Sequence, residues 1–189
     1  MNALEKEVRW NHCEELFERY RRGDANAARE FFIVIARILQ GYYRVRIRSE
    51  QDAEDLSQAA ILKLHYNADS FEAGRPLKPW IFTIAHRCLI DHYRGLDPEV
   101  NTAVAFEEQA EHLPADENTL SWPERSELRS DLESALLELE SVDRSVVYLY
   151  TVVDLSMREV ADVLGLTEAA AKLRASRSYA KLRRSLSEP

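Results

Sequence analysis

The chain has 189 residues, of which 25 are Lys or Arg and 33 Asp or Glu, giving a formal charge of −8. An apolar fraction of 46% and a charged fraction of 31% describe a water-soluble globular protein; no apolar run reaches the roughly 18–20 residues of a membrane span, and the opening MNALEKEVRWNHCEELFERY holds no signal-peptide core. Two cysteines, Cys13 and Cys88, exclude a disulfide scaffold and point to a reducing, cytoplasmic compartment, and five glycines leave little for phosphate-cradling loops or hairpins.

The expectation is an all-α protein. A first helix over about 3–22 carries apolar Val8, Leu16 and Tyr20 and stops at Gly23, a suitable residue just past a helix end. A second over about 25–47 places Ala28, Phe31, Phe32, Ile35, Ile38, Leu39 and Tyr42 at helical spacing. A third opens at Asp52 as N-cap and runs to about Tyr66, with Leu56, Ala60 and Leu64 four apart. Its other face begins with Glu54, Asp55 and Gln58, which offer acid and amide to a partner.

The fourth helix starts after Lys78, with Pro79 at the favoured first position, and continues to Arg94. Ile81, Ile84, Ala85, Cys88 and His92 form an apolar stripe, whereas Trp80, Thr83, Arg87 and Arg94 fall elsewhere on the helix. An aromatic beside two guanidiniums can stack on unpaired bases and hold phosphates; Trp80 can equally be a plain core residue. The preceding loop, Phe71–Lys78, is basic at its end and forms a plausible edge of a base pocket. His86 and Cys88 are two apart on this helix, on opposite sides of it, so they do not share a metal ion. Cys88 and His92 are suitably spaced, but Cys88 belongs to the core stripe.

Acid is concentrated in the middle of the chain. Residues 1–95 hold 15 basic and 14 acidic groups, residues 96–133 hold 2 and 11, and residues 134–189 hold 8 of each. Apolar periodicity lapses there, among the breakers Asp97-Pro98, Leu113-Pro114 and Trp122-Pro123. Residues 96–130 read as an acidic linker between domains at 1–95 and 131–189. A solvated tether that only spaces the domains is the plain alternative to any role for its charge.

In the last segment Leu136, Leu139, Val146, Val147, Tyr150 and Val153 belong to two helices broken near Ser141-Val142-Asp143. Ser156-Met157-Arg158-Glu159 is a capping box, and Val160, Val163 and Leu164 follow before Gly165 ends the helix. Thr167 then caps a second helix. Its Lys172–Arg184 stretch contains six basic residues and no acid. Helix, short glycine-containing turn and basic helix make the helix-turn-helix pattern, whose second helix enters the major groove. Ala171, Ala175, Ser178 and Leu182 form its buried side; Lys172, Leu173, Arg174, Ser176 and Arg177 are expected outward, serving phosphates more than bases.

DAEDLSQAAILKLHYNADSF followed by KPWIFTIAHRCLIDHYR resembles the second conserved region of bacterial sigma factors, and LSMREVADVLGLTEAAAKLRASRSYAKLRRSL resembles their fourth. In this order, with nothing large between them, they resemble the extracytoplasmic-function group, which has only these two regions. The resemblance implies a protein that is not an enzyme, takes no cofactor or small-molecule substrate, and directs core RNA polymerase to promoters. It implies that Asp52, Glu54, Asp55, Gln58 and Leu62 meet the clamp helices of the largest polymerase subunit, with the flap as a further contact. Arg75, Lys78, Trp80, Thr83, Arg87 and Arg94 would hold the minus-ten element, and Thr167, Lys172, Leu173, Arg174, Ser176 and Arg177 the minus-thirty-five element.

The resemblance also implies that the linker enters the polymerase cleft, and that an anti-sigma factor, expected to be membrane-linked, controls the protein in a stress response. The chain departs from the family at Ala59, where an acid is common, at Glu140-Ser141-Val142, and at Ala170 and Leu173 of the basic helix. A sigma-like decoy that sequesters an anti-sigma factor without touching promoters is the competing reading; the surviving Arg87, Arg94 and 172–184 basic run favour the working factor.

Overall fold

The computed structural model describes residues 3–47, 49–96 and 135–186, and every regular element among them is helical. The acidic linker expected over 96–130 lies, beyond Leu96, outside the described residues, as do the side chain of Val8 and the ends of the chain.

Helix α1 (Ala3–Arg21) ends at Gly23, whose φ of +93° is a backbone conformation glycine adopts without strain. Asp24 then caps α2 (Ala25–Arg44), accepting from the amides of Asn26 and Ala27 at 3.0 Å each and from Arg19 at 2.7 Å. The Ala27 amide, and then Arg19, hold its carboxyl below the usual carboxylate range. α2 buries Ala27, Phe31, Ile35, Ile38, Leu39, Tyr42 and Tyr43, so the three-and-four spacing holds while Ala27 takes the place expected for Ala28, and Ala28 and Phe32 are half-buried.

Helix α3 (Glu50–Asn67) opens earlier than expected. Its cap is Ser49, whose hydroxyl accepts from the Asp52 amide at 3.1 Å, so Asp52 is not the cap. Asp52 lies instead in the first turn, where its charge faces the positive end of the helix. α3 passes through a 3-10 turn, Ala68–Ser70, and a loop to α4 (Leu77–Leu96). Pro79 is therefore the third helical residue and not the first, still within the turn where amides lack helical acceptors.

In the last segment, Ser141–Asp143 open α5 (Ser141–Thr151) and do not interrupt it; the break falls just before them, at Glu138–Glu140. The capping box closes as expected. Ser156 Oγ accepts from the Glu159 amide at 3.3 Å, and the Ser156 amide donates to Glu159 Oε2 at 2.8 Å, starting α6 (Met157–Leu164). Gly165, at φ +68°, and Leu166 turn the chain, and Thr167 caps α7 (Glu168–Ser185) by accepting from Ala170 at 3.2 Å. α7 buries Ala171, Ala175, Ser178 and Leu182, as the spacing predicts. Ser156→Ala removes one half of the box and frees the other. It should lower stability by about 1 kcal/mol, read as an earlier urea midpoint at unchanged slope. An unshifted midpoint would mean that packing alone starts α6.

Helices α1 to α4 pack in chain order, each on the next, and α6 lies against α4 while also contacting α5 and α7. One apolar cluster runs from Trp10, Phe31 and Phe82 to Leu149, Val160 and Ala171, so both segments share it. A small satellite joins Ala135, Leu139, Val147 and Leu182. Contact from two sides explains why α4 buries more than its expected stripe: Phe82, His86 and Leu89 are buried along with Ile81, Ala85 and Cys88.

Candidate nucleic-acid and protein interfaces

The outer face of α3 carries the residues expected to meet a protein. Gln51, Asp55, Gln58, Leu62 and Tyr66 recur every three or four residues, so they form one stripe. Gln51 donates to Asp55 at 3.1 Å, which holds the acid end of the stripe. Leu62 is 55% exposed and Tyr66 80% exposed, an uncommon display for large apolar groups. Glu54 is exposed beside the stripe, and Asp52 is half-buried. Tyr66 was outside the expected set, although the same spacing would have found it.

On the far side of α3 a cavity of about 860 Å³ opens against α4. Trp80, Thr83, Arg87 and Arg94 line it, with Arg75 and Pro76 from the loop before α4. The four helix positions expected together are thus brought together. Trp80 packs one edge on Phe71 and Phe17, with ring centroids 5.0 and 5.5 Å away, while the rest borders the cavity. Arg75 pairs with Glu72 at 2.6 Å at the exposed rim. Thr83 donates to the Pro79 carbonyl at 2.7 Å, one turn back. Lys78 does not join the wall; its ammonium lies 5.6 Å from the Trp10 ring centroid.

Four wall residues that come from other helices lay outside the expected set. Lys63 and Asn67 come from the C-terminal half of α3, where Lys63 is held by Asp91 at 2.8 Å. That bond, more than any other influence, raises the Lys63 pKa, keeping a cation at the cavity edge. Glu159 and Asp162 come from α6 and bring carboxylates to the cavity. No local pattern signals these four, because their proximity depends on α3 and α6 both packing on α4.

Helix α7 divides its basic residues between two tasks. Leu173, 51% exposed, together with exposed Ser176 and Arg177, faces outward as expected. Lys172 is exposed and pairs with Glu168 at 2.6 Å. Thr167 serves as the cap described above. Arg174 turns back toward α5, donating to Asp143 at 2.9 Å and reaching Glu140 at 3.5 Å, so its expected outward direction is corrected. The reason is the pair of acids at the start of α5, which one turn of α7 brings within reach.

Residues 16–98 match the family model for Sigma-70 region 2, and residues 129–182 match that for Sigma-70 region 4. Over 173 residues the chain is 34% identical to the RNA polymerase sigma factor CarQ of Myxococcus xanthus, covering 90% of this chain and 95% of that protein. It is 26% identical over 177 residues to the ECF RNA polymerase sigma factor SigW of Bacillus subtilis, covering 88% and 92%. Among solved structures, the sigma factor RpoE in complex with the anti-sigma factor NepR from Bartonella quintana superposes with a TM-score of 0.63 at 26% identity, over 84% of this chain and 96% of that one. CnrH in complex with the cytosolic domain of CnrY superposes with the same TM-score of 0.63 at 24% identity, over 93% and 97%.

Proposed function

The chain belongs to the extracytoplasmic-function group of the sigma-70 family, and from that premise we propose how its surfaces share the work of a transcription initiation factor that binds core RNA polymerase and directs it to specific promoters. Residues 1–95 form the region 2 domain, 96–130 the linker and 131–189 the region 4 domain. The observation that carries this reading is the joint presence of an exposed acid–amide–apolar stripe on α3 and a cavity on α4 lined by Trp80, Arg75, Arg87 and Arg94.

The α3 stripe, with Asp55, Gln58 and Leu62 at its centre and Asp52 and Glu54 at its acidic end, suits the clamp helices of the largest subunit. Acid at one end and apolar groups at the other set register and then bury area. Region 4 would meet the flap. Trp80, Arg87 and Arg94, with Arg75, suit an unpaired minus-ten strand, since base stacking and phosphate contact need no sequence match. Lys78 acts there, if at all, from outside the cavity. Leu173, Ser176, Arg177 and Lys172 present the side of α7 that would enter the minus-thirty-five major groove, with Thr167 holding the helix start. Arg174 is a positioning residue for α7 in this reading.

The protein is a binding factor and not an enzyme, and it works in the bacterial cytoplasm. Among the described residues no helix is long and apolar enough to cross a membrane. An anti-sigma factor, membrane-linked, would hold it inactive; of two proteins of similar fold, RpoE is seen with the anti-sigma factor NepR and CnrH with the cytosolic domain of CnrY. The linker, with its concentrated acid, would thread the polymerase channel.

The test is a titration of bacterial core RNA polymerase with the purified chain, beside an Asp55→Arg/Gln58→Ala variant. Wild-type binding, weakened about tenfold or more by the variant, is expected. Absence of binding from a folded wild-type chain would replace this reading with that of a decoy for an anti-sigma factor.

A further inference from the structure

Helix α7 buries one face and leaves another that the fold does not use. Ala171, Ala175, Ser178 and Leu182 are buried where α7 packs on α5 and α6. Leu173 lies off this face and is 51% exposed, so its apolar surface contributes little to folding. Ala169, also exposed, stands one turn before it, and four residues apart on a helix the two side chains are neighbours. Exposed Ser176 and Arg177 continue the same side one turn further on.

In a helix-turn-helix the first turns of the second helix meet the base edges. The first two turns of α7 hold three polar side chains, Glu168, Lys172 and Arg174. Glu168 and Lys172 are held together at 2.6 Å, and Arg174 is turned back to Asp143 at 2.9 Å. What this part of α7 offers to a groove is therefore the apolar surface of Ala169 and Leu173. Thymine is the base that presents an apolar group in the major groove, its C5-methyl, and apolar side chains are its partners there. The surrounding charge selects DNA over a protein as the occupant. Past Leu173 the exposed side of α7 carries Arg177, Lys181, Arg183 and Arg184, and no second large apolar side chain is exposed before Leu186. A protein-binding helix repeats its apolar anchor every three or four residues. One apolar contact set among cations suits a base edge lying between two phosphate strands.

We propose that Leu173, with Ala169 beside it, reads thymine C5-methyl groups in the minus-thirty-five element, so that this chain selects its promoters there by apolar contact while Arg177 holds the phosphate backbone alongside. This rests on the reading of α7 as the major-groove helix and adds which base it takes. The base pairs under the two side chains are then A·T pairs with the methyl toward the helix. Any other base in the same place lacks that methyl and binds less well.

The experiment uses holoenzyme assembled from bacterial core RNA polymerase and the full chain, with a randomised pool of duplex DNA. Duplexes retained by the holoenzyme and not by core alone are resynthesised with uracil in place of thymine, one position at a time. Uracil keeps every hydrogen-bonding group of thymine and lacks only the methyl. Within the minus-thirty-five element, uracil at one position or at two neighbouring ones is expected to weaken binding about fourfold each. A Leu173→Ser holoenzyme is expected to bind the thymine and uracil forms alike at the position this residue faces. Arg177→Gln should instead weaken all forms equally and flatten the salt dependence. If no position is sensitive to the methyl, the proposal is overturned, and so it is if Leu173→Ser keeps the sensitivity of the wild type. Loss of core binding by Leu173→Ser overturns it too, placing Leu173 against a protein. If the holoenzyme retains no sequence that core does not, the promoter-directing reading itself fails, an outcome distinct from the other three.

Discussion

Replacing the two exposed apolar side chains of α3, in a Leu62→Ser/Tyr66→Ala double variant, is expected to weaken association with core RNA polymerase by about a hundredfold or more while leaving unfolding of the free chain unchanged. Both side chains stand largely in water, at 55% and 80% exposure, so folding gains little from them. Burying such a group on a partner contributes about 1.5–3 kcal/mol, so losing two removes about 3 kcal/mol or more, which corresponds to about a hundredfold in affinity. A Tyr and a Leu one turn apart on a rigid helix also have the character of an interface anchor. Core polymerase titrated with wild-type and variant chains gives the ratio, and thermal unfolding monitors the fold. A ratio near one, with both chains folded, would remove the α3 stripe from the polymerase interface.

A marked acid sensitivity is the second large effect. His86 is buried on α4 with its Nδ1 3.2 Å from Tyr42 Oη. Burial, with the nearby Arg46 charge adding to it, pushes its pKa down to about 3. The unfolded chain takes up this proton near pH 6.5, as an ordinary histidine does. Protons therefore favour the unfolded state: the contribution to stability is whole above about pH 6.5, declines as the pH falls, and levels off near the folded value. Between pH 7 and pH 5 the loss amounts to about 2 kcal/mol from this residue. Urea unfolding at the two values should show it. His86→Gln keeps a polar partner for Tyr42 and should be less stable at pH 7, yet lose less on acidification. If wild type and variant lose the same amount, His86 does not titrate on unfolding and the burial argument fails.

The difference between Asp24 and Asp52 shows what a cap signal is worth when read from the chain. At Asp24 the preceding Gly23 ends α1, so only one residue can cap α2, and the carboxylate duly accepts from two amides. At Asp52 the alternative Ser49 stands one turn earlier, and a serine followed by Glu50 and Gln51 starts the helix sooner. Both patterns are local and both are allowed; the helix takes the earlier start, where Ser49 Oγ accepts from the Asp52 amide. The capping box of α6, the turn at Gly165 and the 4-3-4 small-residue face of α7 were all legible for the same reason. Each rests on hydrogen bonds or spacing within a few residues.

The helices to within about a turn at their ends, their buried faces where a single neighbour covers them, the acid–amide stripe of α3, and the grouping of Trp80, Thr83, Arg87 and Arg94 on one helix side were legible in the sequence. These follow from 3.6-residue periodicity and short-range capping, which need no knowledge of the rest of the chain. Tertiary packing is what covers α4 from a second side, turns Arg174 to Asp143 and Glu140 rather than to solvent, and brings Glu159 and Asp162 to the same cavity as the arginines of α4. Those outcomes join residues 31 to about 80 positions apart. Such pairings are set by which apolar faces find each other, and by the small residue, Gly41, that lets two helices approach. A helix's own pattern states which side is apolar; it does not state what will lie against it.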